Sequence, residues 1–129
     1  MAREKDGKEE EKYVYRISTA KEWDDFQSNG HTFGADLDKS TACFHLSTLS
    51  QVQPTLQRFF TDTDQELYLL QVDSDKLGDG LIYELVEGTH WFPHFYGPSR
   101  SFAPLPLDAV TRAEKITFSN GKFTCSLLD

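Results

Sequence analysis

His45, Glu84 and His94 each place an ionisable side chain among apolar neighbours. His45 sits in "ACFHLS" (42–47), Glu84 in "LIYELV" (81–86) and His94 in "WFPHFYGP" (91–98). On an extended strand, residues two apart share a face. Cys43, His45 and Ser47 are therefore expected to point together, away from Phe44 and Leu46. An imidazole and a hydroxyl on one face can hold the hydroxyl groups of a sugar or a similar polyol. The plainer alternative for His45 is a buried neutral histidine donating to a backbone carbonyl. Glu84 is either a solvent-facing residue on a half-exposed strand or a partly buried carboxylate with a raised pKa or a nearby cation.

Segment 91–98 holds four aromatic rings, two prolines, a glycine and a histidine. Pro93 fixes its own φ at about −65° and pushes Phe92 towards extended geometry. Gly97 can adopt backbone angles closed to other residues, and Pro98 stiffens the end of the segment. A rigid loop is expected, with Trp91, Phe92, Phe95 and Tyr96 offering flat faces to a planar ligand. The alternative is a hydrophobic plug over a sheet edge, with His94 capping a backbone group.

Other chemistries find less support. His90 and His94 are four apart, a zinc spacing on a helix. Pro93 opposes a helix there and no glutamate adjoins His90, so no metal site is expected. No nucleophile-elbow pattern occurs, nor a phosphate-cradling glycine loop. Cys43 and Cys125 lack metal-ligand spacing and form no cysteine-nucleophile signature with the histidines. They are expected to be reduced, mostly buried thiols of an intracellular protein.

Patterning predicts the elements that must carry these residues. "YVYRI" (13–17) alternates and is rich in β-formers, so it predicts a strand. Thr19 with Glu22 gives a capping box, Ala20, Trp23 and Phe26 recur at helical spacing, and Asn29-Gly30 is a stop. A helix is predicted near 20–28. Residues 30–41 read as a loop and 42–47 as a strand. Val52, Leu56, Phe59 and Phe60 form an apolar helical stripe, with Pro54 expected in the first turn or so. "LYLLQV" (67–72) and "LIYELV" (81–86) are strands, with a turn between. "AVTRAEKITF" and "KFTCSLL" form a closing hairpin about Asn120-Gly121. The order predicts an α+β domain, a small antiparallel or mixed sheet with two short early helices.

The 129 residues favour one domain over 13–129, preceded by a charge-mixed, disordered tail at 1–12. The net charge of −8 disfavours nucleic acid and anionic membrane surfaces as partners. No stretch approaches the ~18 apolar residues of a membrane span. The N-terminus has no apolar run of a signal peptide. A cytoplasmic location is expected by default, and the oligomeric state is open.

"YVYRISTAKEW", "FHLSTLSQVQPTLQRFF", "LYLLQVDSDKLGDGLIYE", "WFPHFYGP" and "PLDAV" together resemble the uncharacterised domain-of-unknown-function family 952, from about Tyr13 to Val110. That family is similar to the ADP-ribosyltransferase-like fold, a split sheet that grips NAD in a cleft. The resemblance implies a nucleotide or sugar ligand, with NAD as the cofactor or substrate. It implies that His45, Glu84 and His94 are catalytic. Arg16, Ser47, Thr48, Trp91, Tyr96 and Gly97 would then bind substrate, with Arg16 standing where many relatives have histidine. The Glu-x-Glu pair of one transferase branch is absent, since Glu84 and Glu87 are three apart. The alternative on the same fold is a non-catalytic module for a small ligand or peptide.

Overall fold

The computed structural model describes residues 12–86, 88, 90–97 and 102–128 with their side chains, and residues 3–5 and 8–10 by their backbone. The expected tail at 1–12 and Glu87 and Pro98 therefore lie wholly or largely outside the residues described in full. The short strands β1 (Arg3–Lys5) and β2 (Lys8–Glu10) pair with each other.

The main body begins with β3 (Tyr13–Thr19). It runs into α1 (Ala20–Asn29), where the Thr19 hydroxyl accepts from the Glu22 N–H and Gly30 closes the helix at φ +78°. Both predicted ends are found, but only the Thr19 half of the capping box forms, because the Glu22 carboxylate turns to Arg16. Next come β4 (His31–Thr32), α2 (Asp36–Thr41) and β5 (Phe44–His45). Helix α2 falls where a loop was predicted. Its one buried residue is Asp38, so it carries no apolar stripe to betray it.

Helix α3 (Leu49–Phe59) starts about a turn earlier than the apolar stripe implies, which puts Pro54 at its sixth residue. Pro54 lies on the exposed face, so the Ser50 carbonyl it leaves unpaired can turn to water. Val52 and Leu56 are fully buried, but Phe59 is 65% exposed. That ring overhangs the last turn with the Arg58 guanidinium 5.0 Å above it, while Phe60 packs inward instead.

The remaining strands are β6 (Leu67–Asp73), β7 (Leu81–Val86), β8 (His90–Phe95), β9 (Leu105–Pro106), β10 (Val110–Ser119) and β11 (Lys122–Thr124). They form two antiparallel sheets, β11-β10-β6-β3 and β5-β8-β7, with a small β4-β9 pair. The hairpin β10–β11 turns on Asn120 and Gly121, both at positive φ. This is the mostly antiparallel α+β architecture that the sequence predicts. Among the described residues no helix is long and apolar enough to cross a membrane.

Alternation along β3 and β6 sorts the core into two clusters. Val14, Leu70 and Val72 face Phe26, Phe44, Leu46, Leu81 and Phe95, filling the space between the four-stranded sheet, α1 and the second sheet. Tyr15, Leu67 and Leu69 face α3 and the C-terminal strand on the other side. The two sheets are joined where the backbones of Tyr15 and Ser47 exchange hydrogen bonds of 2.8 and 2.9 Å.

The segment expected as a rigid loop is largely strand. Pro93 is fully buried in β8, the middle strand of its sheet. It pairs with Tyr83 on β7, and its carbonyl accepts from Leu46 N–H at 3.1 Å. Proline cannot return that second bond. The β5 ladder therefore stops at His45, and the chain turns away to reach Tyr15.

Gly97 has φ +83°, and a Cβ built there would lie 2.5 Å from the Ala103 Cβ. Gly121 has φ +75° and open space around it. Gly97→Ala is thus expected to lose roughly 2–4 kcal/mol of stability, combining left-handed strain with overpacking, against roughly 1 kcal/mol for Gly121→Ala. Urea unfolding of both variants checks this, and equal losses would contradict the close approach at Gly97.

Candidate functional site

Arg16 occupies a core-facing position of β3, between Val14 and Ser18, and is 5% exposed. A buried guanidinium needs counter-charges. Glu22 from α1 accepts from its Nε at 3.0 Å and its Nη2 at 2.9 Å. Asp38 from α2 accepts from Nη1 at 3.0 Å and Nη2 at 2.8 Å. Burial alone would lower the Arg16 pKa, but these two carboxylates outweigh it and hold the cation firmly charged. Arg16 thus faces two protein carboxylates. Lysine could not grip both in this forked way.

Asp38 links this ion pair to His45. Its Oδ1 lies 3.1 Å from the His45 Nδ1 and accepts from the His45 N–H at 3.0 Å, while its Oδ2 accepts from the Ala35 N–H at 2.8 Å. Burial works against the Asp38 charge, but His45 and Arg16 overcome it and hold the carboxyl well below the usual carboxylate range. An ionised carboxylate only accepts, so the His45 Nδ1 donates. In the neutral ring that leaves a lone pair on Nε2, in a side chain one-third exposed.

The antiparallel register sets His45 directly opposite His94. Their rings meet edge to face with centroids 5.1 Å apart. His94 has its own carboxylate: its Nδ1 lies 2.7 Å from the Glu84 Oε1. Glu84 stands on β7 two residues beyond the partner of His94, so alternation brings both to one face. The Tyr96 hydroxyl donates to the same Glu84 oxygen at 2.5 Å. Burial lowers the His94 pKa despite Glu84, and burial with the Glu84 hydrogen bond raises that of Tyr96.

Two histidines, each oriented at Nδ1 by a separate carboxylate, thus stand side by side, with a tyrosine hydroxyl on the second carboxylate. Such a group can take a proton from one hydroxyl and give one to another. Cys43 adjoins it, its Sγ 4.0 Å from the His45 Nε2.

The sequence-predicted residues divide cleanly. His45, Glu84, His94 and Tyr96 come together. Ser47 is 5% exposed and supplies the backbone bridge between the sheets. Thr48 caps α3, its N–H donating to the Gln51 side chain at 2.9 Å. Trp91 lies on β8 opposite Leu85, and alternation assigns it the strand face that His94 does not use. Gly97 answers a packing need. Asp38 and Glu22 were missed: Asp38 lies in a segment without periodicity, and Glu22 read only as a capping residue.

A cavity of about 730 Å³ lies elsewhere, lined by Glu22 and Asp25 of α1, His31, Phe33, Lys39 and Phe102 among others. None of His45, Glu84 or His94 lines it. Helix α2 separates the two places, with Asp36 and Lys39 on the cavity and Asp38 on His45. Volume alone would favour the cavity. The oriented acid–base groups favour the histidine pair, and catalysis depends on them more than on volume. Among the described residues no three His, Cys, Asp or Glu side chains are grouped to hold a metal ion.

Arg16→Met would leave Glu22 and Asp38 without their cation. It is expected to destabilise the fold by about 3–5 kcal/mol, measurable by denaturant unfolding. A second test is pH. The folded His94 binds a proton less readily than its unfolded counterpart, so its contribution is present above the unfolded pKa of about 6.5 and is lost as pH falls below it. Stability should fall from pH 7 to 5, and His94→Gln should flatten part of that fall. An identical slope in the variant would contradict the burial of His94.

A family model described as a protein of unknown function, DUF952, matches residues 17–113. The chain is similar to the crystal structure of CC0527 from Caulobacter crescentus, with 30% identity and a TM-score of 0.76 over 87% of this chain and 93% of that one. The solution structure of CC0527 matches with 29% identity and a TM-score of 0.71, over 88% of this chain and 91% of that one. No curated protein matches.

Proposed function

The chain belongs to the DUF952 family of unknown function, and from that premise we propose that the His45–His94 face is a small-molecule site for a ribosyl nucleotide of the NAD or ADP-ribose type. The observation that carries the reading is the contact of two imidazoles, each oriented by its own carboxylate. His45 and His94 hold the ribose hydroxyls, and a free Nε2 takes a proton from the water that attacks the sugar carbon, while nicotinamide leaves as a neutral ring that needs no proton. Tyr96 offers a ring face beside them. Glu84 aligns His94 and Tyr96 and adds negative charge near a sugar carbon that becomes cationic as nicotinamide leaves. Preorganised charge of this kind is worth a few kcal/mol of barrier, about 3 kcal/mol for one group. Arg16 acts through Asp38 as a positioning residue. The wider likeness to the ADP-ribosyltransferase-like fold belongs to this proposal as well.

A second reading, a binding module that turns nothing over, draws support from the commitment of Arg16 to Glu22 and Asp38. That commitment withdraws the Arg16 guanidinium from any pyrophosphate at the face.

NAD or ADP-ribose is expected to raise the melting temperature, and His45→Ala to remove the rise. No shift of the wild type across a broad nucleotide panel would overturn the ligand class. Nicotinamide release on long incubation with NAD, abolished by His45→Ala and by His94→Ala, would separate an enzyme from a binding module.

A further inference from the structure

The histidine pair has a neighbour to which nucleotide binding gives no task. Cys43 is a free thiol, 4% exposed, two residues before His45. Its Sγ lies 3.8 Å from the Thr41 Oγ1 and 4.0 Å from the His45 Nε2, and the Tyr96 hydroxyl is a third hydrogen-bonding neighbour. The Thr41 hydroxyl donates to the Leu37 carbonyl at 2.7 Å, so towards Cys43 it acts as an acceptor. The His45 ring gives its Nδ1 proton to Asp38, so its Nε2 also accepts. The acceptors open to the S–H therefore include a base that a buried carboxylate holds in the right tautomer. A nucleophile, a base and an orienting acid in that order are the parts of a covalent acyl-transfer site.

We propose that Cys43 is a nucleophile for small activated acyl groups, with His45 as its base. The Sγ attacks the carbonyl carbon, the S–H proton passes to the His45 Nε2, and the bond from carbon to the leaving oxygen breaks. The departing alcohol or phenol takes the proton from His45. Water, deprotonated by His45, then cleaves the thioester and restores the thiol while the acyl group leaves as its acid. Burial raises the Cys43 pKa, so the resting group is a thiol and attack needs the base in the same step. The same burial limits the acyl group to one as small as acetyl. Asp38 is a positioning residue, acting only through the ring it orients.

This assignment is independent of nucleotide binding, because its test contains no nucleotide. The purified protein is mixed with p-nitrophenyl acetate, and p-nitrophenol release and peptide masses are monitored. A burst of about one equivalent is expected, with one acetyl group on Cys43. His45→Gln should slow the burst at least tenfold, Cys43→Ala should abolish it, and Cys125→Ala should leave it unchanged. Asp38→Asn should slow the burst while iodoacetamide labels Cys125 no faster than in the wild type. Unfolding would expose Cys125 as well, so the two readouts separate loss of alignment from loss of fold. Acetylation only at lysines or Cys125, or an equal rate at Cys43 in His45→Gln, would overturn the proposal.

Discussion

A buried guanidinium holding two carboxylates is the constraint around which this small domain is arranged. Arg16 projects into the core from β3, where water cannot satisfy it. Glu22 and Asp38 reach it from α1 and α2, elements with few apolar contacts of their own. Only Phe26 of α1 and Asp38 of α2 are buried. The ion pair, more than apolar packing, fixes where α2 lies. Exchanging such a group for apolar residues of similar volume often leaves stability unchanged or raises it. What the polar version adds here is a defined geometry for Asp38, and through it for His45.

The second constraint is Pro93. Its missing N–H ends the pairing of β5 with β8 after His45, so the chain crosses to the other sheet through Ser47. His45 is therefore the last paired residue of its strand, opposite His94 and one-third exposed, rather than one more buried strand residue. Pairing by register brings the imidazoles together, and alternation on β7 supplies Glu84. A proline in a middle strand and a charge between two sheets both depart from the simplest folding rules. Both lie within one or two steps of the same histidines, as expected where a fold builds a site.

Much of this could be read from the chain. Thr19 with Glu22, and Asn29-Gly30, mark the ends of α1 because caps are local chemistry. Asn120-Gly121 marks its hairpin for the same reason. His45, Glu84 and His94 stood out because each breaks an apolar pattern, and the fold brings all three together. What stayed hidden depends on partners far along the chain. Helix α2 has no apolar face, so periodicity is silent there. The two carboxylates that hold Arg16 are invisible until α1 and α2 are placed. Ser47 and Thr48 carry polar side chains beside His45, but the fold uses one as a bridge between sheets and the other as a helix cap. The prolines and rings of segment 91–98 read as a loop because the tolerance of one middle strand for Pro93 is set by where its neighbour ends.

The proposed chemistry depends on Asp38 and Glu84 each holding a histidine by Nδ1. Long-range proton–nitrogen NMR of the imidazoles at neutral pH reports this directly. In their neutral forms His45 and His94 should both be the Nδ1–H tautomer, and Asp38→Asn should perturb His45 far more than His94. A dominant Nε2–H tautomer for His45 in the wild type would contradict the arrangement, because the carboxylate would then not be orienting the ring.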